Sequence, residues 1–267
     1  MRRELEYGAG GVVGVLTPQA NTTVEPELGV LLPPDTNVLV ARLQSSNEAL
    51  ADRLRDYLNT VATAVSQFGT VRFDVLCFAC TGSCYVIGAE RETQLLEAAA
   101  GGECKVISAA SAVEDALRAI DARRIGIVSP YPRWLTDSGS RFWAGRGFEV
   151  REVVQIHGDD ASPDIYGLRT GRVDAALRTV REHELDAVLL AGTGMPTLST
   201  LVKAQRQPES GLVLSPNVCM SWCVTQTLAS KPLDAASLQE FLGPAAGWRA
   251  RFAARFPQAF HAAADEH

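Results

Sequence analysis

An internal repeat restricts the fold more than any other feature of the chain. Gly14-Val-Leu-Thr-Pro18 matches Gly126-Ile-Val-Ser-Pro130, and the run from Asp74 to Gly82 (DVLCFACTG) matches that from Asp186 to Gly194 (DAVLLAGTG). Each pair lies 112 positions apart. A third pair, KVIS ending at Ser108 and LVLS ending at Ser215, keeps the order at an offset of 107. Ordered matches at nearly one offset mark a duplicated unit, and two copies are too few for a solenoid.

Within each copy, short apolar runs alternate with helix-like stretches. The runs VVGVL, DVLCFA, KVI, RIGIV, AVLLA and LVL suit strands buried on both faces. The stretches 47–67, 89–100 and 169–182 suit helices between them. Strand–helix alternation implies a parallel sheet covered by helices. The fold class expected is therefore α/β: two pseudo-twofold-related, doubly wound parallel-sheet halves with the active site in the cleft between them. The first half comprises 1–115 plus 217–267, whose helix-like tail packs back on it. The second half comprises 116–216.

Bulk properties narrow the function classes. The chain has 267 residues and a net charge of −6, which argues against a nucleic-acid footprint because that needs a basic face. It does not argue against an anionic substrate, since backbone N–H groups bind anions locally. No apolar run approaches the ~18 residues of a membrane span. Glu4 and Glu6 interrupt any signal-peptide pattern, so the expected location is the cytoplasm. Disulfides are unexpected there among Cys77, Cys80, Cys84, Cys104, Cys219 and Cys223. No histidine lies near either cysteine cluster, so no metal site is expected. The glycines of GAGGVVG precede the first strand rather than follow it, so they are no dinucleotide fingerprint. No cofactor is expected.

Open parallel sheets bind ligands beyond the carboxyl ends of their strands. The turns there are rich in hydroxyls and small residues: Thr17 to Thr23 and its mate Ser129 to Arg133; Cys80-Thr81-Gly82 and its mate Gly192-Thr193-Gly194; Ser108 and its mate Ser215-Pro216-Asn217. Where one copy has Cys80, the other has Gly192. A cysteine at a strand-to-helix turn feels the helix N-terminus, which favours its thiolate. Such a thiolate is a nucleophile or base without a cofactor. Asn21 reads as an Asx turn or cap, and Tyr131, between two prolines, as a packed aromatic. In a cleft, the Tyr131 phenol is a proton or hydrogen-bond donor.

The run from Gly14 to Glu27 (GVLTPQANTTVEPE), followed by the turns at Cys80, Ser129-Pro130-Tyr131, Gly194-Met195-Pro196 and Ser215-Pro216-Asn217, resembles the maleate cis-trans isomerases. These group with arylmalonate decarboxylases in the aspartate/glutamate racemase superfamily. The resemblance covers residues 11–225. It implies cofactor-free chemistry from cysteines at the two equivalent turns: both in racemases, the first as nucleophile in maleate isomerases, and only the second in arylmalonate decarboxylases. This chain has the converse of the last, with Cys80 first and Gly192 second, which argues against two-base racemisation. The resemblance further implies that Asn21 binds a substrate carboxylate and that Tyr131 hydrogen-bonds or protonates the substrate. Thr81, Gly82, Thr193 and Gly194 would offer hydroxyls and N–H groups to carboxylates.

The function expected is cis-trans isomerisation of a small unsaturated dicarboxylate, maleate-like, with Cys80 as the nucleophile. The expected assembly is a homo-oligomer. The alternatives are a one-cysteine decarboxylase or lyase of a malonate-like acid, and a small-acid binding protein on the same scaffold. The segment 157–168 is the expected lid.

Overall fold

The computed structural model of the protein describes residues 5–158, 164–181, 184–204 and 211–264. The first copy runs β1 (Gly11–Pro18), α1 (Val24–Leu31), β2 (Thr36–Leu43), α2 (Leu50–Asn59), α3 (Val61–Ser66), β3 (Val75–Phe78), α4 (Thr81–Ile87), α5 (Ala89–Ala100), β4 (Lys105–Ser108) and α6 (Ala109–Ala119). The second runs β5 (Arg124–Ser129), α7 (Arg133–Gly145), β6 (Glu149–Gln155), α8 (Thr170–Val180), β7 (Ala187–Leu190), α9 (Leu198–Ala204) and β8 (Leu212–Leu214). Then come α10 (Pro216–Leu228), α11 (Ala235–Leu242), α12 (Gly247–Arg255) and α13 (Pro257–Ala264).

The two sheets have the same topology, β2-β1-β3-β4 and β6-β5-β7-β8, and every pairing is parallel. The expected pair of α/β halves is therefore what the chain forms. All eight residues of β1 are buried, as a strand covered on both faces requires. The edge strand β6, EVREVVQ, mixes charged and apolar residues and is only partly buried, so no apolar run marks it in the sequence.

The repeated residues have structural reasons. A Cβ on Gly14 would meet the Phe73 ring at 2.9 Å, and one on Gly126 would meet Val180 and Leu185 at 2.7 Å. Both glycines let a side chain close onto the central strand. Asp74 accepts from Val12 N–H at 2.8 Å, and Asp186 accepts from Arg124 N–H at 2.8 Å. Each aspartate thus secures the start of the neighbouring strand. Hydrogen bonds with Arg124 hold the Asp186 carboxyl down to about 2. Ser108 and Ser215 accept from the third N–H of α6 and α10. These serines, expected as cleft-facing turns, are helix caps.

The stretch 47–67 divides into α2 and α3 at Thr60, whose hydroxyl donates to the Asp56 carbonyl at 2.7 Å. Helix α10 lies against α6, α1, β3 and β4. Helix α4 meets α7 across the two halves, where the Trp143 indole donates to the Tyr85 hydroxyl at 3.1 Å. Gly139 lets the Tyr85 ring approach α7, since a Cβ there would stand 3.0 Å from it. Among the described residues, no helix is long and apolar enough to cross a membrane.

Candidate active site

The turns after β1, β3, β5 and β7 all reach one cavity of about 560 Å³. Cys80, Gly82, Tyr131, Thr193 and Gly194 line it. Asn21, Thr81, Gly192 and Asn217 do not form its wall. They touch the residues that do, as follows.

Cys80 sits between β3 and α4 with extended backbone (φ −148°, ψ 101°), so it is the N-cap of α4. Its thiol is 3.3 Å from the Ser83 hydroxyl. Ser83 donates its one proton to the Leu54 carbonyl at 2.8 Å. Burial pushes the Cys80 thiol up to about 11, outweighing the Ser83 contact and the N–H groups of Ser83 and Gly82. The helix N-terminus does not prevail here, contrary to the expectation of a resting thiolate. Alkylation of Cys80 in the ligand-free protein should rise about tenfold per pH unit from about pH 7 to about pH 10. Peptide mapping after a short pulse of iodoacetamide reads this, and a plateau below about pH 9 contradicts it.

The Thr81 hydroxyl and the Tyr131 phenol lie 2.7 Å apart across the cleft. Burial holds the Tyr131 phenol well above its usual range, with the nearby Tyr85 and Cys80 adding to the rise. It is therefore a neutral O–H donor at physiological pH. The Tyr131 carbonyl accepts from Gln155 at 2.9 Å and from Thr136 at 3.1 Å, which fixes the residue between its prolines.

Gly192 lies directly behind this phenol. Its φ is +109°, and a Cβ there would stand 3.0 Å from the Tyr131 oxygen and 3.0 Å from Pro130. The phenol occupies the space a side chain at 192 would need. Gly194 has a similar neighbour, because a Cβ on it would lie 2.6 Å from the Tyr166 ring.

Asn21 accepts from Thr23 N–H at 2.9 Å and from Val24 N–H at 3.1 Å, closing the turn into α1. Its amide donates to the Thr193 hydroxyl at 3.2 Å, and that hydroxyl donates to the Ala79 carbonyl at 2.8 Å. The Asx-turn reading of Asn21 is what its oxygen does, while its nitrogen ties the two halves. Thr23 donates to the Gly194 carbonyl at 2.8 Å.

Behind this layer lies Glu27, buried on α1. It accepts from Thr197 N–H at 2.6 Å and from the Asn217 amide at 2.8 Å. Asn217 also donates to the Thr193 carbonyl at 3.0 Å. Asn217 is 1% exposed and its amide protons face Glu27 and Thr193, so it braces the 193–197 turn. Burial raises the Glu27 carboxyl to about 7 against those hydrogen bonds. Sequence reasoning missed Glu27, because an acid in the first turn of a short helix reads as a solvated residue. It also missed Tyr57 and Tyr166, which line the cavity.

Several neighbouring residues are held by other contacts. Arg42 pairs with Glu25 and donates to the Asn21 carbonyl at 2.8 Å. Cys77 and Cys84 are buried core. Trp134 lines the cavity, whereas Phe78 and Trp222 are fully buried in the core. In the 157–168 segment, residues 159–163 lie outside the described residues. Asp164, Ile165 and Tyr166 line the cavity. Among the described residues, no group of three or more His, Cys, Asp or Glu is placed to hold a metal ion.

Fold and site together define a duplicated α/β protein with a single cysteine at the first of two equivalent turns, facing a cavity between two parallel sheets. No protein-family model matches the chain. The chain is 26% identical over 214 residues to a maleate isomerase of Geobacillus stearothermophilus, covering 73% of this chain and 83% of that protein. Its fold matches the maleate cis-trans isomerase of Nocardia farcinica, solved with a covalently bound succinylcysteine intermediate. That match has a TM-score of 0.71 and 23% identity, over 85% of this chain and 97% of the other. It also matches arylmalonate decarboxylase at TM-score 0.67 and 18% identity, over 83% and 94% of the two chains. In sequence the chain is similar to maleate isomerases, and it shares its fold with maleate isomerases and arylmalonate decarboxylase.

Proposed function

We propose that the protein is a cis-trans isomerase of a small unsaturated dicarboxylate, working through a covalent bond to Cys80. The observation that carries this reading is the placement of one cavity-lining thiol opposite a neutral phenol, Cys80 and Tyr131, in a chain similar to maleate isomerases. As the Cys80 Sγ–C bond forms, the π electrons of the alkene move onto the adjacent carboxylate as an enediolate. The proton leaving sulfur is held on the enediolate oxygen. The former double bond rotates, the thiol is eliminated with its proton returned, and the trans acid results. No outside reactant is needed.

Tyr131 donates to the enediolate oxygen, exchanging its Thr81 contact for the substrate. The N–H groups of Gly82, Thr193 and Gly194, which line the cavity, face the carboxylates, while Asn21 and Thr81 act one layer back by holding Thr193 and Tyr131. Asn217 and Gly192 act through what they position. Tyr166 packs on the cavity floor at Gly194. The enzyme needs no cofactor and acts in the cytoplasm as a homo-oligomer. Its halves are 1–115 plus 217–267 and 116–216, a division supported by α10 packing on α6, β3 and β4.

Tyr131→Phe is expected to lower kcat by roughly 10²-fold, as removal of an oxyanion donor does, with a smaller change in KM. Steady-state kinetics on maleate reads this, and an unchanged kcat contradicts the donor role.

The apolar wall of Leu54, Leu135 and Trp134 favours a second reading, decarboxylation of an aryl-substituted malonate with Cys80 protonating the carbanion. Proton NMR with maleate and with phenylmalonate, each incubated separately, decides. Fumarate supports the isomerase. Phenylacetate with maleate untouched replaces it with the decarboxylase.

A further inference from the structure

Helix α2 presents Leu50, Arg53, Leu54 and Tyr57 to the cavity. These are positions i, i+3, i+4 and i+7, one face of a helix, and three of the four are apolar or aromatic. An arginine in such a stripe is the exception to explain. Arg53 is half-buried, and among the described residues it has no ion-pair or hydrogen-bond partner for its guanidinium.

The nearby acids are engaged or in water. Asp52 pairs with Arg55 at 2.8 Å, and Asp56 accepts from Ser45 at 2.6 Å and from Asn47 at 2.7 Å. Asp164 accepts from Gly167 N–H at 2.9 Å, and both Asp164 and Glu48 are exposed at the mouth. Arg53 is electrostatically linked to the inner site through two phenols. Tyr57, which burial pushes up to about 12, is raised further by Cys80 and lowered by Arg53, and Tyr166 feels the same two groups. The cavity thus runs from the Cys80 thiol past Tyr57 and Tyr166 to an uncommitted guanidinium. At about 560 Å³ it falls in the range of roughly 300–1,000 Å³ that encloses drug-sized ligands, well beyond what a four-carbon diacid fills.

We infer that Arg53 binds the far carboxylate of an unsaturated diacid longer than maleate, whose near carboxylate and double bond lie at Cys80 and Tyr131. This deepens the proposed function and rests on it. A guanidinium suits the role because it takes a carboxylate in bidentate fashion and stacks on aromatic rings. The apolar residues of the same helix face cover the carbon chain between the two charged ends.

Saturated diacids test the inference without any turnover. Isothermal titration of the full chain with succinate and with adipate should show adipate binding at least about tenfold more tightly. Arg53→Gln should bring the two affinities close together, and Arg53→Lys should keep part of the preference. Equal affinities in the wild type, or an adipate preference that survives in Arg53→Gln, overturns the assignment. Turnover of maleate by the wild type is scored separately. Failure there removes the isomerase reading and leaves the binding result standing, whereas failure of the diacid preference removes Arg53 and leaves the isomerase.

Discussion

Replacing Cys80 by alanine is expected to lower kcat for maleate by at least about 10⁴-fold, the scale of losing a nucleophile that no neighbour replaces. Among the described cavity residues, no other nucleophile of comparable softness stands in: Cys77 and Cys84 are core, and burial pushes both thiols up. Ser83 is also buried, with its hydroxyl donated to Leu54. The same substitution should cost the fold little, within about 1 kcal/mol. The sulfur's side-chain partner is Ser83, which keeps its stronger contact. Circular dichroism and a thermal melt alongside the kinetics separate the two effects. Residual activity above about a hundredth of wild type in a folded Cys80→Ala protein would remove Cys80 as the nucleophile.

Gly192→Cys, which restores a cysteine at the second equivalent turn, is expected to damage the enzyme rather than improve it. A non-glycine residue at φ +109° costs on the order of 1–3 kcal/mol in backbone strain. The new Cβ would also press on Pro130 and on the Tyr131 oxygen at 3.0 Å each. The phenol must then move, breaking its 2.7 Å contact with Thr81. We expect Tm to fall by several degrees and kcat on maleate to fall by at least about tenfold. A variant with wild-type Tm and raised kcat would mean that this turn accepts the second cysteine after all.

The repeat made the fold legible because the matched residues are those a parallel α/β unit cannot do without. Gly14 and Gly126 admit a packed side chain, Asp74 and Asp186 hold the neighbouring strand, and Ser108 and Ser215 cap helices. The proposed nucleophile lies where the copies diverge, at Cys80 against Gly192, and that comparison singles it out in the sequence. Other features depend on tertiary placement that one-dimensional spacing does not carry. The neutral thiol of Cys80 is one, because burial, invisible in a motif, outweighs the helix N-terminus. Glu27 and Asn217 form a buried brace across 190 positions of chain, and no local pattern announces such a pair. Arg53 was legible in principle, as a cation in the apolar stripe of α2, once that stripe is known to face a cavity.

The most direct test of a covalent isomerase centred on Cys80 is peptide mass mapping of the wild-type protein quenched with acid during turnover of maleate. A succinyl thioether is expected on the peptide containing Cys80 and on no other cysteine peptide, formed while fumarate accumulates. Fumarate production with an unmodified Cys80 peptide throughout, or an adduct confined to another cysteine, would contradict it.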